Sequence, residues 1–195
     1  MPQFEVVNKE VMLDKEITKL DLFVLDALAI LEKFTSYVII SGYVSIFFGR
    51  ARATEDVDIF IDELTYESFK QMYDSFVKSG YEFTVDNPLA LYREYLKSNV
   101  QINVWRNDFP LLRIEMKIAS KLSQKLVLKE RMAVKFKGKL LYFAPIESQI
   151  AYKRFIAKSD KDLEDARHLE IVFKNLDRGR IERFKNLFLQ EFNHG

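Results

Sequence analysis

The chain has 195 residues, of which 48% are hydrophobic and 30% are charged, and its formal net charge is +1. This composition indicates a folded protein of one ordinary domain rather than a disordered or broadly basic chain. It contains no cysteine and only two histidines, His168 and His194, which excludes disulfides and zinc thiolate sites and disfavours a histidine metal cage. Any chemistry must therefore depend on carboxylates, lysines and arginines.

The sequence contains no targeting or membrane signal that we recognise. Its first ten residues include charges and lack the apolar segment of a secretory signal. No apolar run reaches the ~18 residues that a membrane span needs. We therefore expect a cytoplasmic protein with no membrane partner.

The first half of the chain predicts helices that alternate with short strands. Hydrophobic periodicity and turn residues predict, in order, a helix over 17–34, a strand over 37–40, a short helix over 43–48 closed by Gly49, a strand from Asp56, a helix over 65–77 capped by Thr65, a strand over 81–85 and a helix over 89–96.

The second half predicts a strand over 99–105, an ambiguous stretch over 109–130, and a hairpin over 133–143. Within the ambiguous stretch, residues 111–116 fit a strand or a helix and 119–128 favour a helix. After Pro145 we predict only helices, over 146–158, 161–174 and 180–192. We therefore expect an α/β (α+β) fold, with an α/β core and its N-terminal helix over 1–144 and C-terminal helices over 145–195 packed on it as one compact unit.

Two carboxylates lie on the strand that starts at Asp56. Side chains alternate along a strand, so Asp56 and Asp58 share one face while Val57 and Ile59 enter a core on the other. Neighbouring carboxylates repel each other unless they share a proton, pair with bases or hold a cation. A solvated strand end is equally typical of this pattern taken alone.

The stretch from Ser41 to Asp58 resembles the signature of the nucleotidyltransferase superfamily related to DNA polymerase beta. In that family a G-G or G-S turn and a short helix precede the pattern R-x-T-x-D-x-D, matched here by Arg52, Thr54, Asp56 and Asp58. The resemblance implies a nucleotidyltransferase-like mixed sheet with flanking helices.

Residues 145–170 also look like the branch that includes the nucleotidyltransferase toxins of abortive-infection toxin–antitoxin systems. Together with residues 38–62 they carry the resemblance, which is loose between these two blocks.

The resemblance implies magnesium-dependent transfer of a nucleoside monophosphate from an NTP, such as ATP, with release of pyrophosphate. It implies Mg²⁺ held by Asp56 and Asp58, and a triphosphate seated by Ser41 and Gly42, whose hydroxyl and backbone amides suit phosphate. The further phosphate-binding candidates are Arg52, Thr54 and Lys153, with Arg50 as a neighbour.

Each binding assignment has a structural alternative. Ser41 and Gly42 can form only a turn that ends a strand, and Thr54 can cap the local backbone. Lys153 can pair with Asp162 and Asp165 as an ionic cluster between helices.

Asn103 departs from the family pattern. The family's third carboxylate comes from a later strand, and Asn103 stands at that position in the strand over 99–105. An asparagine can ligate Mg²⁺ through its carbonyl oxygen, but it is neutral and cannot act as a base. Asn103 is therefore our third catalytic candidate, and three consequences stay open: weakened catalysis, transfer of the role to Asp86 or Glu115, or no catalysis.

The sequence does not identify the acceptor, for which tRNA, a protein and a small molecule all fit. One rival function is a degenerate member of the family that binds a nucleotide or a protein partner without catalysis. Another is the toxin of a toxin–antitoxin pair, with an antitoxin as partner. The near-neutral charge does not favour RNA binding, although Lys153, Arg154 and Lys158 form a local basic segment.

Overall fold

Nine strands form one mixed sheet in the computed structural model, which describes residues 3–7 and 10–193. In chain order the strands are β1 (Gln3–Val7), β2 (Glu10–Asp14), β3 (Tyr37–Ile39), β4 (Asp56–Ile61), β5 (Tyr81–Phe83), β6 (Ile102–Arg106), β7 (Arg113–Ile118), β8 (Met132–Phe136) and β9 (Lys139–Phe143). Across the sheet their order is β1-β2-β8-β9-β3-β4-β7-β6-β5. Strand β4 lies antiparallel to β3 and parallel to β7.

The helices in this part of the chain are α1 (Lys19–Leu31), α2 (Gly42–Phe47), α3 (Tyr66–Lys78), α4 (Pro88–Ala90), α5 (Leu122–Lys129), α6 (Ile146–Tyr152), α7 (Asp160–Val172) and α8 (Arg178–Asn193). A π-helical turn over Leu91–Tyr95 and a 3-10 turn over Leu96–Ser98 continue α4, and a π-helical turn over Lys153–Ala157 continues α6. None of these described helices is long and apolar enough to cross a membrane.

The α/β fold class predicted from the sequence is confirmed, as are most of the elements. The ambiguous stretch 109–130 contains a strand, β7, followed by a helix, α5, because Ile114, Met116 and Ile118 are buried in alternation with partly exposed residues. Strands β1 and β2 were not predicted. Each has only five residues, and charged or polar residues interrupt the apolar pattern of this segment.

Helices cover one face of the sheet over most of its width. Residues Ile39, Val57, Ile59, Ile102 and Met116 point to this face and pack in one core with α1, α2 and α3. All five side chains are at most 1% exposed. The alternating pattern of β4 therefore directs its aspartates away from this core, as the sequence predicted.

The other face is covered only in part. Val38, Ile40 and Phe60 pack there against α5, α6 and α8. Beyond β4, strands β7, β6 and β5 and the residues that flank them present polar or partly exposed side chains on the same face, namely Glu82, Thr84, Gln101, Asn103, Trp105, Arg113, Glu115 and Lys117. We call these eight residues the open sheet face. The aspartates of β4 lie at its boundary with the helical layer.

Candidate active site

A strained turn connects β3 to α2. Ser41 has φ 64° and ψ −138°, a conformation that glycine adopts readily and other residues adopt at a cost of about 1–3 kcal/mol. Its backbone N–H donates to Gln149 Oε1 over 2.8 Å, and its side chain is a hydrogen-bond partner of the Asp58 carboxylate. Contacts from α6 and β4 therefore hold this turn in place.

Gly42 allows an arginine to pack against the turn. A Cβ at this position would lie 3.0 Å from a terminal nitrogen of Arg52, closer than almost any real Cβ contact. The guanidinium of Arg52 also donates to Asp165 Oδ2 over 2.8 Å. Gly42, the glycine of the predicted motif, therefore leaves the space beside the turn that the guanidinium of Arg52 occupies.

Three cations surround one buried carboxylate. Asp165 of α7 is fully buried and pairs with Arg50, Arg52 and Lys153. Lys153 is only 2% exposed, and its Nζ lies 2.8 Å from Asp165 Oδ2 and 3.1 Å from Asp162 Oδ1. The ionic cluster that the sequence left as an alternative for Lys153 is therefore present, and it ties α7 to the loop before β4.

The charges around Lys153 oppose one another. Burial lowers the pKa of its ammonium, and the nearby Arg50 and Arg52 lower it further, while Asp162 raises it. Lys153 also lowers the pKa of the Asp58 carboxyl. This cation therefore stabilises negative charge at Asp58 as well as within its own ion pairs.

The parallel register of β4 and β7 brings three carboxyl groups together. Asp58 lies directly opposite Glu115, and Asp56 lies opposite Arg113. The Asp58 and Glu115 carboxyl groups face each other across the strand pair, and each alters the pKa of the other. Glu115 stands beside the two aspartates predicted from the sequence, and it is the functional candidate that the sequence motif alone did not select.

The pKa values of Asp58 and Glu115 are both raised. Burial raises the pKa of Asp58, and the charge of Asp56 raises it further, while hydrogen bonds from Ser41 and Glu115 lower it. Burial also raises the pKa of Glu115, with further increases from the charges of Asp58 and Asp56. Negative charge is therefore crowded here and would be relieved by a cation.

Asn103 does not occupy the position that we assigned to it from the sequence. Its strand, β6, pairs with β7, so Glu115 stands between Asn103 and Asp58. The sequence left residues 111–116 open between a strand and a helix, and the strand that forms there, β7, separates the two. Asp86 lies elsewhere, where it accepts a hydrogen bond from the Tyr73 hydroxyl of α3.

Two side-chain oxygens near these carboxyl groups are buried without a hydrogen-bond partner among the described residues, Asp56 Oδ1 on β4 and Asn103 Oδ1 on β6. Arg113 Nε lies 3.1 Å from Asp56 Oδ1, but this ion pair lacks the geometry of a hydrogen bond. Buried polar atoms of this kind normally have a partner. Both are oxygens of the type that Mg²⁺ prefers.

The donor set suits a hard divalent cation in an open site. Among the described residues, no group of three or more histidine, aspartate or glutamate side chains is arranged to hold a metal ion by itself. Mg²⁺ does not need one, since it usually takes one or two protein carboxylates and keeps water or substrate phosphate as its other ligands. Asp56 and Asp58, with Glu115 adjacent, fit that pattern.

A cleft of about 300 Å³ opens beside Ser41 and Asp58. Its polar wall includes Gln149 and Lys153, and its apolar wall, contributed by β4 and helices α5, α6 and α8, includes Phe60, Val127, Ile156 and Phe188. A volume of this order suits a small ligand. The cleft lies on the side of Asp58 away from the open sheet face.

The structure thus brings together most of the residues that the sequence selected. Ser41, Asp58 and Lys153 line one cleft, and Gly42 and Arg52 are in contact beside it. Thr54 has a different role, because its hydroxyl donates to the backbone carbonyl of Asp56 over 3.0 Å. It shapes the entry to β4, as its backbone-cap alternative predicted.

Solved structures share this architecture. The chain matches the antibiotic-resistance factor ANT(2'')-Ia with a TM-score of 0.55 and 13% identity, over 89% of this chain and 92% of that one. It matches the lincosamide antibiotic adenylyltransferase LnuA, solved with lincomycin, with a TM-score of 0.51 and 14% identity, over 82% and 100%. This chain has the nucleotidyltransferase fold.

A third match has the same fold. It is an antigenic nucleotidyltransferase-like protein from Paracoccidioides brasiliensis, with a TM-score of 0.52 and 14% identity, over 87% of this chain and 86% of that one. No protein-family model matches the sequence, and no curated protein matches it. These likenesses confirm the predicted superfamily fold and do not extend to its toxin–antitoxin branch.

The crowded carboxylates predict a stability cost in the absence of a cation. Because the pKa values of Asp58 and Glu115 are raised in the folded state, folding stability falls as pH rises from the ordinary values of 3.8 and 4.5 through the raised ones. At pH 7 without divalent cations, Asp58→Asn should therefore increase the free energy of unfolding by about 1 kcal/mol.

Urea unfolding at several pH values measures this effect. The gain should shrink below pH 4, where the wild-type carboxyls are protonated. The exposed neighbour Asp62 supplies a matched control, since Asp62→Asn should change stability by less than about 0.5 kcal/mol. An Asp58→Asn variant that is less stable than the wild type at pH 7 would contradict the account.

Proposed function

We propose that this protein is a magnesium-dependent nucleotidyltransferase that transfers a nucleoside monophosphate from an NTP, such as ATP, to a hydroxyl-bearing acceptor. The observation that carries the proposal is the group of three carboxyls, from Asp56 and Asp58 of β4 and Glu115 of β7, beside the Ser41–Gly42 turn. The nucleotidyltransferase fold supports it.

The proposed position of the nucleotide follows from charge and shape. The triphosphate lies against the Ser41–Gly42 turn, with Arg52 and Lys153 as the nearby positive charges. The nucleoside lies in the adjacent cleft, whose apolar wall suits a planar base. Asp165 keeps both cations in place by pairing with them.

Asp56 and Asp58 would hold Mg²⁺, and when bound the ion neutralises phosphate charge and polarises the α-phosphorus. Asn103 Oδ1 is a further oxygen beyond Glu115, two strands from Asp58. Glu115 accepts the proton of the acceptor hydroxyl, since it is ionisable and stands beside Asp58, whereas Asn103 cannot take a proton.

The proposed reaction breaks a phosphoanhydride bond of the NTP and forms a phosphate ester bond to the acceptor. The acceptor oxygen forms a bond to the α-phosphorus, and the bond from that phosphorus to the bridging oxygen breaks. Pyrophosphate leaves with the electron pair, and the hydroxyl proton passes to Glu115. Catalysis depends mainly on positioning and charge stabilisation, as is general for transfer at phosphorus.

The rival without catalysis is less favoured, because its motivation was the lack of a third carboxylate. Glu115 supplies an ionisable group in that row. The hypothesis that the protein is a toxin is supported by the resemblance of residues 145–170. A small DNA-binding protein encoded beside this gene would favour it. Location in the cytoplasm remains our expectation for either reading.

Binding of nucleotide tests the proposal first. Isothermal calorimetry with each NTP and Mg²⁺ should show saturable binding to the wild type. Asp58→Ala should weaken it at least roughly tenfold, because a charged ligand to the cation is lost. Asp86→Ala, at a carboxylate held by Tyr73, should leave affinity unchanged. Binding that is absent, or equal in wild type and Asp58→Ala, would refute the proposal.

The roles of Glu115 and Asn103 are separated by a second measurement. Loss of a general base typically reduces the rate by about 10²–10⁴-fold, so Glu115→Gln should slow acceptor-dependent pyrophosphate release by that order while retaining nucleotide binding. Asn103→Ala should reduce it less. If Asn103→Ala were the more damaging change, the proton would have to leave by another route.

A further inference from the structure

The open sheet face carries side chains in rows that run outward from the carboxylates. Strand pairing places the residues of the two rows in the orders Asp56, Arg113, Trp105, Glu82 and Asp58, Glu115, Asn103. Neighbouring strands are about 4.8 Å apart, so Trp105 lies roughly 10 Å from Asp56, two strands away. That distance is similar to the length of a small ring compound.

Trp105 is available for contact with a ligand. It is the only tryptophan of the chain, and it is partly exposed on the open sheet face. Among the described residues, no aromatic ring, cation or hydrogen-bond acceptor engages its indole side chain. A large planar side chain, exposed beside a reactive centre, is typical of a stacking surface for a ring.

The charge of this face argues against a polyanion. Acidic residues at or beside it are Asp56, Asp58, Glu82 and Glu115, whereas its basic residues are Arg113 and Lys117. Arg113 already lies 3.1 Å from Asp56 and 4.0 Å from Glu55. A nucleic-acid site normally shows clustered basic residues, and this face lacks that excess.

We propose that the open sheet face is the acceptor site, and that the acceptor is a neutral or cationic small molecule whose hydroxyl-bearing ring stacks on Trp105. The inference rests on the proposed function, since it concerns the second substrate of the same centre. A ring stacked on Trp105 extends toward Glu115, where its hydroxyl oxygen meets the α-phosphorus. Gln101 and Glu82 lie on the exposed part of this face and supply polar contacts.

The acceptor and the nucleotide then approach the carboxylates from opposite sides. The cleft beside Ser41 lies under the helical layer, and Trp105 lies on the uncovered strands. Such an arrangement is required because the acceptor hydroxyl attacks the α-phosphorus from the side opposite the leaving pyrophosphate. Asp58 lines the cleft, and Glu115, which faces it across the strand pair, belongs to the open sheet face.

The intrinsic fluorescence of Trp105 gives a direct test, because no other tryptophan contributes to the emission. The wild type, with Mg²⁺ and a non-hydrolysable ATP analogue, is titrated with kanamycin, lincomycin, maltotriose and a short single-stranded RNA at physiological salt. We expect a saturable change in emission with at least one ring compound and none with RNA. A response to RNA alone, or to no ring compound while the ATP analogue binds, overturns the inference.

Variants of Trp105 complete the test with any compound that responds. Trp105→Ala should raise the KM for that compound roughly tenfold, with a smaller change in kcat, and Trp105→Phe should restore most of the loss. Affinity for the ATP analogue should not change in either variant. Lys70→Ala, at an exposed pair on α3, should alter neither quantity.

The outcomes separate the two proposals. If the ATP analogue does not bind, the proposed nucleotidyl transfer fails and this inference fails with it. If the analogue binds and the Trp105→Ala variant catalyses transfer with an unchanged KM for the acceptor, only the proposed acceptor site is wrong.

Discussion

The parallel pairing of β4 with β7 is the constraint on which the candidate site depends. It sets Asp58 beside Glu115, and it leaves Asp56 next to Arg113. Because side chains alternate along a strand, the same pairing buries the residues between the acids, among them Val57, in the main core. A one-residue slip would bury the acids and expose that core. The burial that stabilises the sheet therefore also fixes the spacing of the carboxyl groups.

A second constraint connects the C-terminal helices to this centre. Asp165 on α7 is buried among Arg50, Arg52 and Lys153, and removing one partner from such a cluster typically costs about 3–5 kcal/mol. The cluster holds Arg52 against Gly42, so the Ser41–Gly42 turn and α7 are coupled. The three cations of the cluster are balanced by Asp162, Glu164 and Asp165.

The sequence predicted local features better than it predicted which residues are neighbours across the sheet. The motif around Asp56 and Asp58, and the helices after Pro145, follow from short-range patterns and were found correctly. Glu115 was only one of two substitutes considered, because its role depends on β7 lying between β4 and β6, which no local pattern reveals. The ion pairs of Lys153 were anticipated as an alternative. The contact of Arg52 with Gly42 was not anticipated, because it depends on the conformation of the loop and not on the spacing of residues in the motif.

The central claim is that one NTP and Mg²⁺ bind between the Ser41–Gly42 turn and the acids of β4 and β7. A crystal structure with Mg²⁺ and a non-hydrolysable NTP tests this most directly. The account predicts an ion bound to Asp56 and Asp58 with Glu115 adjacent, a triphosphate against the turn, and the nucleoside in the neighbouring cleft. A triphosphate bound elsewhere, or an ion away from the two aspartates, would contradict it.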